Sequence, residues 1–356
     1  MPERTVRKRR RWKGVSSALG VFLLAFVVVS ICAIPIALPG GANASESLPA
    51  PNSKTTPEEQ AFSGKAEFGQ FPPSTEADRE LEKMLHGKDE NIDLALANWL
   101  MVADIPQFGD MTREAYFAQL DAMTEHVRQD MARMQKSGWH GTNANDPDTR
   151  CCRFCSAIIM LRFAYREEFR QEDLTSVQMK ALYADADNIF LAGLLRTRRG
   201  SCVSMPLIYL VIGQRLGLPV HLVTLGKHYF IRWEEPGYRM NIETTSVEKI
   251  AMTPDDSVYL DVEGMTRDRL TGNQLRNLTN REVVSNLFFT RSAYWATKGP
   301  EHTAQQCADL SRARQLAPDD PAIKATQQAV FNSYGIEPEN TSINISPKLL
   351  VGVHHE

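Results

Sequence analysis

The sequence predicts an α+β protein, with helices on both sides of a small antiparallel sheet. Three observations carry this. Apolar residues recur at helical spacing in residues 93–100 and 113–134, and again beyond Leu275. Three consecutive segments, 220–225, 228–233 and 238–244, are rich in β-branched and aromatic residues. Glu234-Glu235-Pro236-Gly237, between the last two, has turn chemistry.

The chain has 356 residues, and 43% hydrophobic content supports a real core. The net charge of -3 offers no electrostatic case for nucleic acid. Charge is unevenly placed, because Arg4, Arg7, Lys8, Arg9, Arg10, Arg11 and Lys13 crowd the basic segment 1–14. Residues 15–38 follow without a charged side chain, long enough to span a bilayer. The basic flank keeps the N-terminus cytoplasmic and places the rest outside, as a single-pass anchor. Ala42-Asn43-Ala44 before Ser45 has the form of a signal cleavage site, so a cleaved signal is the rival reading. The apolar stretch exceeds a usual signal core, which favours the anchor. Either way the globular part is exported.

Residues 39–75 read as a flexible linker rich in Pro, Gly, Ser, Glu and Lys. Helical pattern starts near Thr75. Residues 138–149 are a polar loop, 152–169 read as an amphipathic helix, and 175–186 as another. The run 188–195 leads through Arg196, Arg198, Arg199 and Gly200 to Cys202. After Cys202, residues 205–212 are apolar on most sides, a helix expected to be buried. Pro206 places the helix start at Ser201 or nearer Ser204, and Gly217 with Pro219 ends it. Residues 258–262 read as a further short strand. Residues 281–296 and 303–316 read as an antiparallel helix pair, with a third helix ending near Tyr334. Ala313, Leu316 and Pro318-Asp319-Asp320-Pro321 resemble the end of a tetratricopeptide unit, in a single degenerate copy. The organisation expected is a folded domain at 76–272, a repeat-like helical region at 273–336 and a loose tail at 337–356.

Chemistry centres on Cys202, His228 and Glu243, in the order nucleophile, base, orienting group. A thiol ahead of a helix and near a histidine is expected to have a lowered pKa. If residues 234–237 form the hairpin loop, His228 lies directly across from Glu243, with Cβ atoms about 5 Å apart. Asn241 points the same way and is the reserve for the orienting role. The expected reaction is attack of the Cys202 thiolate on an acyl carbon, with backbone N–H groups near the helix start, Cys202's own included, as the oxyanion hole.

Arg199-Gly200-Ser201-Cys202, Leu216-Gly217-Leu218-Pro219-Val220 and Gly226-Lys227-His228-Tyr229-Phe230-Ile231-Arg232 together resemble the transglutaminase-like superfamily, in the branch related to SirB-type invasion-regulator proteins. The resemblance covers roughly 76–272. It implies a papain-like core, with a catalytic helix packed on a small antiparallel sheet, helical flanks, and Cys202, His228 and Glu243 as a triad. Arg199 and Gly200 belong to the motif and shape the approach to the thiol. The acid is Glu, one methylene longer than the family's Asp. The implied substrate is a protein or peptide amide, with no cofactor and no metal. The competing reading is a non-catalytic interaction module that binds through its helical C-terminus.

Cys151, Cys152 and Cys155 cluster at a helix start. They lack a convincing fourth zinc ligand beyond His140 and read as free thiols or a disulfide. With Cys307 and Cys202, five cysteines follow residue 38, and an odd number leaves at least one unpaired within the chain. Asn277, Asn340 and Asn344 start glycosylation sequons, a short pattern that recurs by chance.

Overall fold

A computed structural model describes residues 75–169, 175–225, 228–245 and 251–334. The basic segment, the expected span 15–38, nearly all of the linker, Gly226-Lys227, the tail and the sequons at Asn340 and Asn344 lie outside the described residues. Among the described residues, no helix is long and apolar enough to cross a membrane.

The fold is α+β. Its N-terminal part is α1 (Glu76–Leu85), α2 (Leu94–Leu100), α3 (Arg113–Ser137) and α4 (Pro147–Met160). Each begins at a side-chain cap: Thr75, Asp93, Thr112 and Asp146 accept bonds from first-turn N–H groups that would otherwise lack partners. α3 ends on Gly138 at φ 71°, the left-handed position glycine adopts without strain.

The expected helix over 152–169 is corrected. It starts at Pro147, which needs no N–H in a first turn, and stops at Met160. Arg162 at φ 58° turns the chain, and Ala164–Tyr165 becomes β1, paired in parallel with β2 (Arg199–Gly200). Between them lie α5 (Ser176–Ala184), α6 (Ala186–Ile189) and α7 (Leu191–Thr197). The run 188–195 is therefore two short helices, broken at Phe190, whose backbone is extended.

α8 (Met205–Arg215) is buried from Met205 through Gly213. It packs on one face of a four-stranded antiparallel sheet of β3 (Val220–Leu225), β4 (His228–Glu235), β5 (Tyr238–Glu243) and β6 (Ala251–Thr253), in that order. Ile231, Trp233 and Ile242 join the main core with the helix. A second cluster carries Val223, Leu225 and Phe230, covered by α9 (Ser257–Glu263) through Tyr259 and Leu260. Residues 258–262 are thus helix, not strand. Val258 is exposed while the adjacent Tyr259 and Leu260 are both buried, a distribution that suits a helix face and not strand alternation.

The β4–β5 hairpin is tighter than expected. Glu235 pairs with Tyr238, so the turn is Pro236-Gly237 alone, with Gly237 at φ 80°. Glu234 stays in the ladder opposite Arg239, and the two side chains form an ion pair at 3.0 Å.

α10 (Asn280–Ala296), α11 (Thr303–Leu316) and α12 (Pro321–Ser333) follow. A buried ionic cluster joins this region to α1. Arg291 donates two 2.7 Å bonds to Asp309 and one of 3.0 Å to Asp78, and Arg312 reaches Asp78 at 3.2 Å.

A candidate thiol site on a pinned turn

Cys202 lies in a short turn just before α8, which starts at Met205 with Pro206 in its first turn. The turn is pinned by two hydroxyls. Ser201 and Ser204 both donate to the Asn188 carbonyl, at 2.7 and 2.8 Å. Ser201 Oγ also accepts from the Val203 N–H, and Ser204 Oγ from the Ser201 N–H. Gly200 is required for packing: a Cβ there would stand 2.8 Å from Met205 Cγ and 2.9 Å from Leu194 Cδ1. Its carbonyl accepts from the Arg166 N–H at 2.8 Å. Arg199 points elsewhere; it is exposed and faces Glu168 at 3.4 Å. Arg196 is tied to Asp187 at 2.7 Å, and Arg198 lies 4.1 Å over the Phe163 ring.

His228 opens β4 and Glu243 closes β5. His228 Nε2 is 2.5 Å from Glu243 Oε2. An ionised carboxylate can only accept, so Nε2 carries the hydrogen. The other oxygen, Oε1, accepts from the Thr245 hydroxyl at 2.7 Å and the Thr245 N–H at 3.0 Å. Burial opposes ionisation of Glu243. The His228 hydrogen bond and charge, with the two Thr245 bonds, outweigh it and hold the carboxyl below its ordinary range. The imidazole lies near-parallel to the rings of Phe230 and Tyr259, at 6.2 and 6.0 Å.

Asn241 has a different job. Its side chain accepts from Arg232 Nε at 2.7 Å and donates to Asp256 at 2.8 Å, and Arg232 also binds Asp256 at 2.8 Å. Arg232 and Asn241 are fully buried and Asp256 nearly so, and together they fasten the start of α9 to the sheet. Sequence reasoning missed Asp256 and Thr245. Thr245, two residues after the acid, was the only local signal; nothing nearby marks Asp256.

The expected lowering of the Cys202 pKa is corrected. The thiol is 3% exposed. Burial pushes it up to about 12, and the Glu243 carboxylate adds to the rise, while Cys202's own N–H opposes it. The helix proper begins three residues later, so desolvation outweighs the end of the dipole. Tyr183 and Tyr229 are close enough to feel the thiolate's charge.

Residues 114–288 are a transglutaminase-like superfamily domain. The match contains all four sheet strands, the Cys202 turn and the first half of α10. The chain is also 26% identical over 106 residues to F-box only protein 21 of Mus musculus, and 27% identical over 106 residues to that of Homo sapiens. Each alignment covers 30% of this chain and 15% of the relative. No solved structure matches the chain.

Elsewhere in the transglutaminase-like domain, Cys151, Cys152 and Cys155 are thiols outside any disulfide. Burial holds Cys152 up at about 11, while the Cys151 thiol and then burial raise Cys155. Among the described residues, no cluster of His, Cys, Asp and Glu is arranged to hold a metal.

Proposed function

We propose that the transglutaminase-like domain carries out thiol-dependent acyl chemistry on a protein or peptide amide, with Cys202 as nucleophile, His228 as general base and Glu243 as orienting carboxylate. The observation that carries this reading is the 2.5 Å bond from His228 Nε2 to Glu243. A carboxylate on Nε2 fixes the tautomer, directs the base function to Nδ1 and stabilises the imidazolium that forms. The resting thiol is protonated, since its pKa stands near 12. His228 therefore removes the proton as sulfur attacks, instead of holding a preformed thiolate. Cys202's own N–H, which favours negative charge beside it, is the oxyanion donor. The acyl group then passes to water or an amine. In this reading the domain belongs to the SirB-type branch, residues 15–38 anchor it outside the cytoplasm, and the repeat-like helices after it contact a partner.

One observation favours the second reading, a non-catalytic module: the thiol is covered. Alkylation of Cys202 at near-neutral pH separates the two. The enzyme reading expects the wild type to label about 10-fold or more faster than His228→Ala, a modest share of what a general base contributes. Equal rates sink it.

A further inference from the structure

The Glu243 bond holds one atom of the His228 ring but restrains the plane of the ring only weakly. Nε2 lies close to the Cβ–Cγ axis, so turning the imidazole about that axis scarcely moves it. Nδ1 lies further from the axis and swings with the turn. The torsion itself adds little, because rotation about a bond to a planar ring has broad minima. Glu243 therefore secures the tautomer, while the aim of Nδ1 depends on what fixes the plane.

Two aromatic rings lie beside the imidazole. Phe230, on the same face of β4, is 6.2 Å away with its plane tilted by 21°. Tyr259, from α9, is 6.0 Å away at 22°. These two rings stack on each other at 3.8 Å and 10°. Both separations from His228 lie within the range at which rings set one another's orientation. Phe230 is fully buried and Tyr259 is 7% exposed, so neither ring is free to turn in solvent.

α9 holds Tyr259 there from both ends. At its start, the buried Asp256 accepts from Arg232 of β4 at 2.8 Å. At its end, Gly264 takes φ 62°, and the Met265 N–H donates to the Leu260 carbonyl at 2.9 Å. Leu260 and Met265 then pack in the same apolar cluster as Phe230 and Tyr259. Burial, and after it the Glu243 carboxylate, push the Tyr259 hydroxyl up, so the side chain is neutral at working pH. What it brings to His228 is a fixed ring and not a charge.

We propose that Tyr259 is a positioning residue for His228: stacked on Phe230, it fixes the plane of the imidazole and with it the aim of Nδ1. The placement of the ring is independent of any reaction. That the aimed nitrogen serves Cys202 rests on the acyl-chemistry reading.

The test uses the full chain in detergent micelles, with carbon-13 relaxation at His228 Cδ2 and Cε1, and the Nε2–H resonance, followed by NMR. Tyr259→Leu is compared with Tyr259→Phe, and with Leu260→Ala, which thins the same apolar cluster without removing a ring. The ring order parameter is expected in the rigid range, about 0.85, in wild type and below about 0.6 in Tyr259→Leu, with the Nε2–H resonance retained. Tyr259→Phe and Leu260→Ala keep the wild-type value. Unchanged order in Tyr259→Leu overturns the proposal. So does equal loosening in Leu260→Ala, which marks a general effect of the cluster, or loosening in Tyr259→Phe, which assigns the role to the hydroxyl. Loss of the Nε2–H resonance along with the order also overturns it, because the whole pair has then come apart.

Chemistry is read separately. The factor by which His228→Ala slows Cys202 alkylation should shrink about 3- to 10-fold in Tyr259→Leu and recover in Tyr259→Phe, as loss of one ring pair implies. An undiminished factor beside a loosened ring overturns the positioning role. If His228→Ala does not slow alkylation at all, the acyl-chemistry reading fails, and ring order, measured equally in Cys202→Ala, still decides whether Tyr259 fixes the imidazole.

Discussion

His228 and Glu243 meet diagonally across β4 and β5, not directly. The ladder pairs Ile231 with Ile242, and extending that register puts Thr245 across from His228. Glu243 is thus two residues off, where diagonal neighbours stand about 7–8 Å apart. The extra methylene of glutamate covers that distance. Thr245, in the directly opposed position, clamps the carboxylate's second oxygen through its hydroxyl and N–H. The longer acid and the tight hairpin are one feature.

Shortening the acid should therefore undo the pair. Glu243→Asp is expected to lose contact with His228, and Glu243→Gln to keep contact but lose charge. In both, the His228-dependent part of Cys202 alkylation should fall by as much as about 10²-fold, the lower end of general acid–base contributions. Asp rates equal to wild type would show that the diagonal reach is immaterial.

Acid should weaken the same pair. The folded pKa of Glu243 lies below its ordinary 4.5, so folding gains stability from the carboxylate above that pH. The gain is lost as pH falls through the folded value. Urea midpoints measured from pH 6 downward should drop less steeply in Glu243→Gln than in wild type.

Base acts on the thiol in the opposite direction. The pKa of Cys202 rises from an ordinary 9.0 to about 12, so folding favours the protonated form. That contribution is complete below pH 9.0 and disappears as pH climbs toward 12. In His228→Ala, alkylation of Cys202 should rise about tenfold per pH unit through the alkaline range, with no plateau near neutrality. A plateau there would show a thiolate stabilised by some other group.

Asn241 should separate stability from chemistry. Removing it in Asn241→Ala leaves Arg232 Nε without its acceptor and takes one of two donors from Asp256 Oδ1 in the interior, which is expected to cost about 1–3 kcal/mol. The factor by which His228→Ala slows Cys202 labelling should be the same with or without Asn241→Ala. A collapsed factor would return Asn241 to the orienting role.

The ionic cluster at α1 should behave as a breakable tie. Arg291→Met removes the charge that bridges Asp309 and Asp78 in the core, and the loss expected in denaturant unfolding is about 3–5 kcal/mol. An unchanged midpoint would mean the carboxylates take up protons at little cost.

Much of this fold was legible from the residues. The span 220–225 reads as a strand because Val220, Val223 and Thr224 are β-branched, and the turn at Gly217 follows from a left-handed position that glycine tolerates. The helix at Thr303–Leu316 was visible from its periodicity. Residues 258–262 were not, because five mostly apolar residues fit either period. Burial of Tyr259 beside Leu260 against the sheet settled the matter.

Local sequence determined the α+β class, the order of Cys202, His228 and Glu243, and the helix that follows the thiol, because periodicity, caps and turn residues act over a few positions. Tertiary structure alone decided the rest. It moved the hairpin register by two, assigned Asn241 to Arg232 and Asp256, sealed Cys202 so that desolvation raised its pKa, and brought Tyr259 from α9 beside the His228 ring. Each of these depends on which groups lose water and which meet across space, and neither is written in the spacing of neighbours.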